Sequence, residues 1–196
     1  MKKIALIGGP GSGKTTLALG FVSHMKHNSV PWAFVSEYAR DYIESYGKDA
    51  PAKGGDFTQM LFLKKQQERE QRVHPSYGGF VTDSPVFLAW VYAAKYTSMD
   101  FTGRLAKVEC YKAALSSLSS YSAICWVRRE KPYMQDSARI QTLKEVEALD
   151  NFIAEFVRNH GIPLIEIRGD EHERIAALKA VCYPGKPPLT TAERLI

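Results

Sequence analysis

With 196 residues, 45% of them apolar and 24% charged, the chain is long enough to bury one substantial core and has the composition of a globular domain with room for a small lid. No apolar stretch approaches the ~20 residues that span a bilayer, and Met-Lys-Lys runs straight into a short strand rather than a secretory leader. Cys110, Cys125 and Cys182 are widely spaced and odd in number, which argues against a disulfide framework and for a reducing cytoplasm. The net charge of +5 favours an anionic partner without saying which one.

Taken in chain order, Lys3 to Ile7 reads as a buried strand, and residues 8–15 follow it as Gly-Gly-Pro-Gly-Ser-Gly-Lys-Thr. This is G-x-x-x-x-G-K-[ST] in the setting the motif requires, between a strand and a helix running from Lys14 to about Met25. Glycines let backbone N–H groups turn inward around phosphate oxygens at the positive end of that helix. Gly9, Pro10, Gly11, Ser12, Gly13, Lys14, Thr15 and Thr16 are therefore the candidate triphosphate-binding residues. Lys14 reaches the β- and γ-phosphates and the Thr15 hydroxyl ligates Mg²⁺, with ATP as the expected nucleotide.

Further on, Trp32 to Ser36 reads as a second strand, and Glu37 to Tyr46 as a helix closed by Gly47. Asp49 to Asp56 reads as a loop, and a helix with Asp56 as its N-cap extends to about Val73. Gly79 to Thr82 is a third strand, and Ser84-Pro85 has the form of a helix start. A helix over about Thr102 to Ser119, a strand over Ala123 to Val127 and a charged segment from Arg128 to Arg139 follow. An amphipathic helix then reaches about Asn159, with Leu143, Val146, Leu149, Ile153 and Phe156 on its apolar face. Pro163 to Ile167 is the fifth strand, and Asp170 with Glu173 frames a last helix with Ile175, Leu178 and Val181 as its stripe. The alternation predicts an α/β three-layer sandwich of the P-loop NTPase type, with a five-stranded, mostly parallel sheet. One domain is expected over 1–182, with a lid near 128–139 and an extended or disordered tail over 183–196.

Ligands of open parallel sheets sit outside the carboxyl ends of the strands. That rule selects the phosphate loop, Ser36-Glu37, Asp83-Ser84 and Arg128-Arg129. Asp83 ends an apolar strand and is placed to hold Mg²⁺ beside Thr15; the alternative is that it merely opens the next helix. Glu37 is the candidate base for an attacking hydroxyl, against the alternative of an acid favoured by the helix dipole. Arg40 and Asp41 lie three and four residues on, and can orient Glu37 or touch the acceptor. Tyr38, Tyr42, Phe87, Trp90 and Tyr92 crowd the acceptor side; Tyr38 and Tyr42 are the first candidates to stack an acceptor ring, whereas Phe87 and Trp90 lie at core spacing with Val91 and Ala94. In the charged segment, Arg139 and Arg128 are the candidate catalytic contacts to the transferred phosphate. His24 and His27 have no acidic or thiolate partner nearby, and the cysteines read as core.

Gly8 to Thr16, Ser36-Glu37-Tyr38-Ala39-Arg40-Asp41-Tyr42, Thr82-Asp83-Ser84, the Arg128–Arg139 segment and Asn159-His160-Gly161-Ile162-Pro163 together resemble the ribosylnicotinamide kinase domain of the NadR-like family, and the small P-loop kinases and ATPases around it. The family often has Glu-Ser-Ser where this chain has Pro10-Gly11-Ser12. Similar stand-alone kinases of bacteriophages resemble enzymes that phosphorylate 5-hydroxymethyluracil within DNA. The resemblance implies a Mg²⁺-ATP-dependent kinase acting on a primary hydroxyl, with either a free nucleoside such as nicotinamide riboside or a hydroxymethylated base in DNA as partner. The rival expectation is an ATP-hydrolysing switch or binding module acting on a protein or nucleic acid.

Overall fold

The structure, a computed structural model, describes residues 1–130 and 142–185. Its elements in chain order are β1 (Lys2–Ile7), α1 (Lys14–His27), β2 (Trp32–Val35), α2 (Tyr38–Tyr46), α3 (Ala50–Lys53), α4 (Asp56–Gln71) and β3 (Gly79–Thr82). They continue with α5 (Leu88–Tyr96), α6 (Phe101–Leu118), β4 (Ala123–Val127), α7 (Leu143–Asn159), β5 (Leu164–Ile167) and α8 (Glu171–Cys182). The sheet order is β2-β3-β1-β4-β5, and all four neighbouring pairs are parallel, so the expected mostly parallel sheet is fully so among the described residues.

Helices on both faces follow from the side-chain alternation of the central strands. Ala5 and Ile7 of β1, with Ile124 and Trp126 of β4, enter a core shared with Leu88 and Val91 of α5 and Leu149, Ile153 and Val157 of α7. The intervening Ile4, Leu6, Cys125 and Val127 enter the opposite core, with Leu17 and Phe21 of α1 and Leu178 of α8. A strand buried on both faces reads as a continuous apolar run, as Ile4 to Ile7 does. Phe21 and Phe87 are fully buried, one in each core, and burial of each side chain stabilises the fold by about 1.5–3 kcal/mol.

Beyond these cores, α4, α5 and α6 pack on one another around Leu63, Val86, Ala93 and Cys110 and build a helical wall. Two local expectations change here. Asp56 is the first residue of α4, and Gly55 occupies the cap position. The Asp56 carboxylate instead accepts from Ser98 N–H (2.8 Å), Ser98 Oγ (2.6 Å) and Thr102 Oγ1 (3.2 Å), tying α4 to the start of α6. The helix anticipated at Ser84-Pro85 begins at Leu88, because the chain first passes through tight turns in which the N–H groups of Leu88, Ala89 and Trp90 donate to the carbonyls of Pro85, Val86 and Phe87, three residues back. The capping box at Asp170 and Glu173 forms as read, and a second one at Thr142 and Glu145 starts α7. Arg139 and residues 186–196 of the tail lie outside the described residues. Among the described residues no helix is long and apolar enough to cross a membrane.

Candidate active site

The connections leaving β1 and β4 run to opposite edges of the sheet, so the crevice at their carboxyl ends lies at the switch of direction. The loop between β1 and α1 sits in this crevice. Gly13 has φ +92° and stands against the Arg174 guanidinium, so a side chain there meets both strain and a close neighbour. No side chain caps α1, and its first turn holds no acid, which leaves its N-terminal amides directed at the crevice.

The loop is braced from behind by α7 and α8. Arg174 of α8 is buried and donates Nη1 to Ser12 O (3.1 Å), Nη2 to Arg128 O (2.9 Å) and Nε to Gly169 O (2.7 Å). Arg129 donates Nη2 to Pro10 O (3.0 Å) and to Asp150 Oδ2 (3.2 Å), and Asp150 Oδ1 accepts the Gly9 N–H. A buried cation is tolerated when its donors are engaged: three carbonyls take those of Arg174, and a carbonyl together with the Asp150 carboxylate takes Nη2 of Arg129. Lys14 Nζ donates to Gly8 O (2.6 Å) and Gly9 O (3.0 Å). Burial pulls the Lys14 ammonium below lysine's usual pKa, while the carboxylates of Glu37, Asp83 and Asp150 oppose that shift.

Strand register delivers the two candidate acids. Thr82 pairs with Ala5 of β1 on one side and Val35 of β2 on the other, so Asp83 and Ser36-Glu37 emerge side by side next to the loop. Thr15 Oγ1 donates to Asp83 Oδ2 at 2.5 Å, while Asp83 Oδ1 and Ser12 Oγ are buried and have no hydrogen-bond partner among the described residues. Glu37 holds the N-cap position of α2, and its carboxyl is raised above the usual glutamate pKa by burial, with the Lys14 charge pulling the other way. An oxygen pair suited to a hard cation, amides suited to phosphate and a carboxylate of raised basicity thus share one crevice.

A cavity of about 980 Å³ opens from this crevice, lined by Pro10, Gly11, Gly13, Lys14, Thr15 and Thr16 of the loop and by Glu37, Arg40, Asp83 and Ser84. Gly9 and Ser12 are buried and do not line it. Ile43, Phe62, Leu88, Tyr92 and Tyr96 give it an apolar and aromatic lining. Of the four acceptor candidates only Arg40 faces the cavity. Tyr38 and Tyr42 lie outside its lining because they pack on Phe62 of α4, with ring centroids 6.0 and 5.2 Å away, and Asp41 because it ion-pairs with Arg69 at 2.6 Å. Arg128 stacks on Trp126 at 3.8 Å, and its neighbour Arg129 is the arginine that reaches the loop.

Tyr92 is one of the five aromatics that the sequence puts on the acceptor side, whereas Asp150 was missed although it stands four residues after Val146 and three before Ile153, beside the buried stripe of α7, where a charge needs a partner. Arg174 was legible in principle: it stands four residues before Leu178 and eight before Cys182, on the buried stripe of α8, where a charge needs partners.

The family model AAA_28, an AAA domain, matches residues 3–174. No curated protein matches the sequence. Among solved structures, NadR protein in complex with NR superposes with a TM-score of 0.73 at 17% identity, covering 97% of this chain and 53% of that one. NadR with NAD and AMP-PNP gives 0.73 at 16%, covering 96% and 51%. Deoxyadenosine kinase from M. mycoides with bound dATP gives 0.62 at 15%, covering 92% and 99%, and thymidylate kinase from Candida albicans gives 0.59 at 16%, covering 92% and 90%. The chain spans about half the length of the NadR chains it matches. These likenesses establish a fold shared with P-loop kinases, and with the match over residues 3–174 the chain belongs to the AAA_28 family of AAA domains.

Proposed function

We propose that the chain is a kinase that transfers the γ-phosphate of ATP, with Mg²⁺, to a primary hydroxyl of a nucleoside-like acceptor. The acceptor is either a free nucleoside such as nicotinamide riboside or a hydroxymethylated base such as 5-hydroxymethyluracil in DNA. The observation that carries this reading is that Lys14, Thr15, Asp83 and Glu37 line the same cavity as Phe62, Tyr92 and Tyr96. Phosphate-binding groups and aromatic side chains thus share one concave site. The likeness to NadR with NR and to deoxyadenosine kinase supports the reading at the level of fold.

The residues fit the groups the reaction needs. Asp83 Oδ1, buried without a partner, and the Thr15 hydroxyl are hard oxygen donors for Mg²⁺, and Ser12 Oγ and the amides at the start of α1 suit phosphate oxygens. When bound, Mg²⁺ neutralises charge on the β- and γ-phosphates. Lys14 leaves the loop carbonyls for the phosphates. The Glu37 carboxylate takes the acceptor's hydroxyl proton; the acceptor oxygen bonds to the γ-phosphorus as the bond from that phosphorus to its bridging oxygen breaks, and ADP leaves. Glu37 contributes less than positioning and charge neutralisation, since the transition state is loose.

A second reading, ATP hydrolysis that drives a partner, is favoured by the match to an AAA domain. Incubation with γ-labelled ATP and Mg²⁺ separates the two. The acceptors are nicotinamide riboside, ordinary deoxynucleosides, hydroxymethyldeoxyuridine and duplex DNA carrying hydroxymethyluracil. Label in any acceptor supports the kinase. Release of inorganic phosphate at one slow rate whatever the acceptor sinks it and leaves hydrolysis.

A further inference from the structure

The part of the cavity beyond the phosphate loop is cationic, and its cations are unspent. Arg40 of α2, Lys48 of the α2–α3 turn and Lys95 of α5 line it, whereas Asp56 is the one carboxylate lining it apart from Glu37 and Asp83 at the donor end. The Asp56 carboxylate is already engaged by Ser98 and Thr102. None of the three cations makes an ion pair among the described residues. Arg40 has Glu44 one helical turn ahead of it and Glu37 just behind it, and it pairs with neither. Its charge nevertheless acts on both Lys14 and Glu37, so it stands at the inner end of this region. Lys95 Nζ lies 5.3 Å from the centroid of Tyr96, which lines the same cavity.

Cations from three separate elements, lining one cavity with aromatic side chains and without an ion pair among the described residues, match a ligand that carries both a ring and a phosphate. Resting on the kinase reading above, we infer that the acceptor bears a phosphate group next to the nucleoside that carries its hydroxyl, and that Arg40, Lys48 and Lys95 receive it. A neutral nucleoside leaves all three cations without a partner. A mononucleotide and a phosphodiester strand present the same chemistry here, and the experiment distinguishes them.

The test uses the full chain with Mg²⁺ and AMP-PNP, and calorimetry with three probes. They are 5-hydroxymethyl-2′-deoxyuridine, its 5′-monophosphate, and a single strand of about eight nucleotides containing that base. The phosphate-bearing probes are expected to bind at least about tenfold tighter than the nucleoside. In the K48Q/K95Q variant that preference should shrink to about threefold or less, with AMP-PNP affinity unchanged. Equal binding of nucleoside and monophosphate overturns the inference, as does an undiminished preference in a variant whose melting curve matches the parent. Tighter binding of the strand, lost steeply with salt, identifies a polynucleotide, and equal binding of strand and monophosphate identifies a mononucleotide. Labelled ATP then separates the two conclusions. Preference in binding without transfer leaves the phosphate-binding region standing and removes the kinase. Transfer to the nucleoside as fast as to its monophosphate keeps the kinase and removes the inference.

Discussion

Thr15 Oγ1 donates to Asp83 Oδ2 at 2.5 Å across the ends of β1 and β3, and the second Asp83 oxygen is buried with no partner among the described residues. An unsatisfied buried acceptor costs about 1–3 kcal/mol, more for a charged one, so the pair is better suited to a cation than to the fold's stability. Asp83→Asn is expected to cut turnover by at least about 10²- to 10³-fold at saturating Mg²⁺, while the melting temperature holds or rises because one of two like charges, Asp83 and Glu37, is gone. A stability loss with turnover intact would make Asp83 a structural residue. Lys14→Ala should abolish turnover, since no other lysine reaches the loop carbonyls among the described residues.

Glu37 gives a kinetic signature of its own. A base acts only when ionised, so the rate should fall as pH drops through the Glu37 pKa, which burial sets above the usual glutamate value. Glu37→Gln is expected to lower kcat by about 10²- to 10⁴-fold, to keep ATP binding, and to erase that acidic limb. A pH–rate profile of both proteins checks this, and near-normal kcat in the variant takes Glu37 out of the base role.

The five strands, the phosphate loop and the positions of Glu37 and Asp83 were legible because each rests on local chemistry: apolar runs of strand length, glycines before Lys-Thr, and acids just past strand ends. Side-chain direction on α2 was not. Tyr38, Asp41 and Tyr42 share a segment with Glu37 and Arg40, yet α4 packs on the outer face of α2 and takes all three through Phe62 and Arg69. Which face α4 covers is a tertiary fact that no period in Glu37–Tyr46 encodes. The partners of Arg129, Asp150 and Arg174 were hidden for the same reason, since each lies 21 or more residues away or is a loop carbonyl, even where a charge on a buried stripe signals that a partner is needed. This placement gives a direct prediction: Asp41→Asn and Tyr42→Leu should leave acceptor KM within about twofold of the parent, with any change appearing as a modest stability loss. Acceptor titrations with the purified variants test it.

Asp150 and Arg129 form a largely buried pair, with side chains 15% and 11% exposed, and both hold the phosphate loop. Removing the Asp150 carboxylate takes a close counter-charge from the largely buried Arg129, so Asp150→Ala should destabilise by about 3 kcal/mol and raise the KM for ATP as Gly9 and Pro10 lose their brace. The double variant Asp150→Leu with Arg129→Met should be less destabilised than Asp150→Ala alone, because neither charge of the pair remains. Chemical denaturation of the single and double variants decides; a double variant at least as unstable as Asp150→Ala rules out the lost counter-charge as the explanation.

Glu70 and Tyr121 lie outside the cavity but beneath its wall. The Val86 N–H donates to Tyr121 Oη, and Tyr121 Oη–H donates to Glu70 Oε1 at 2.7 Å, a buried relay that holds the segment running from Asp83 to α5. Burial pushes the Glu70 carboxyl up to about 7 from an ordinary 4.5, with the Tyr121 hydrogen bond pulling it down. Below pH 4.5 both folded and unfolded chains hold this proton; between 4.5 and about 7 only the folded chain does, so stability falls as pH rises through that window. The swing is on the order of 3 kcal/mol, and Glu70→Gln should remove it, leaving other groups to cancel in the difference between the two proteins. Denaturant unfolding of parent and variant from pH 4.5 to 8 measures that difference. A gap that widens in the variant's favour as pH rises, then levels above about 7, is the expected result. A flat gap would mean that Glu70 is ionised throughout and that Tyr121 stabilises the carboxylate fully.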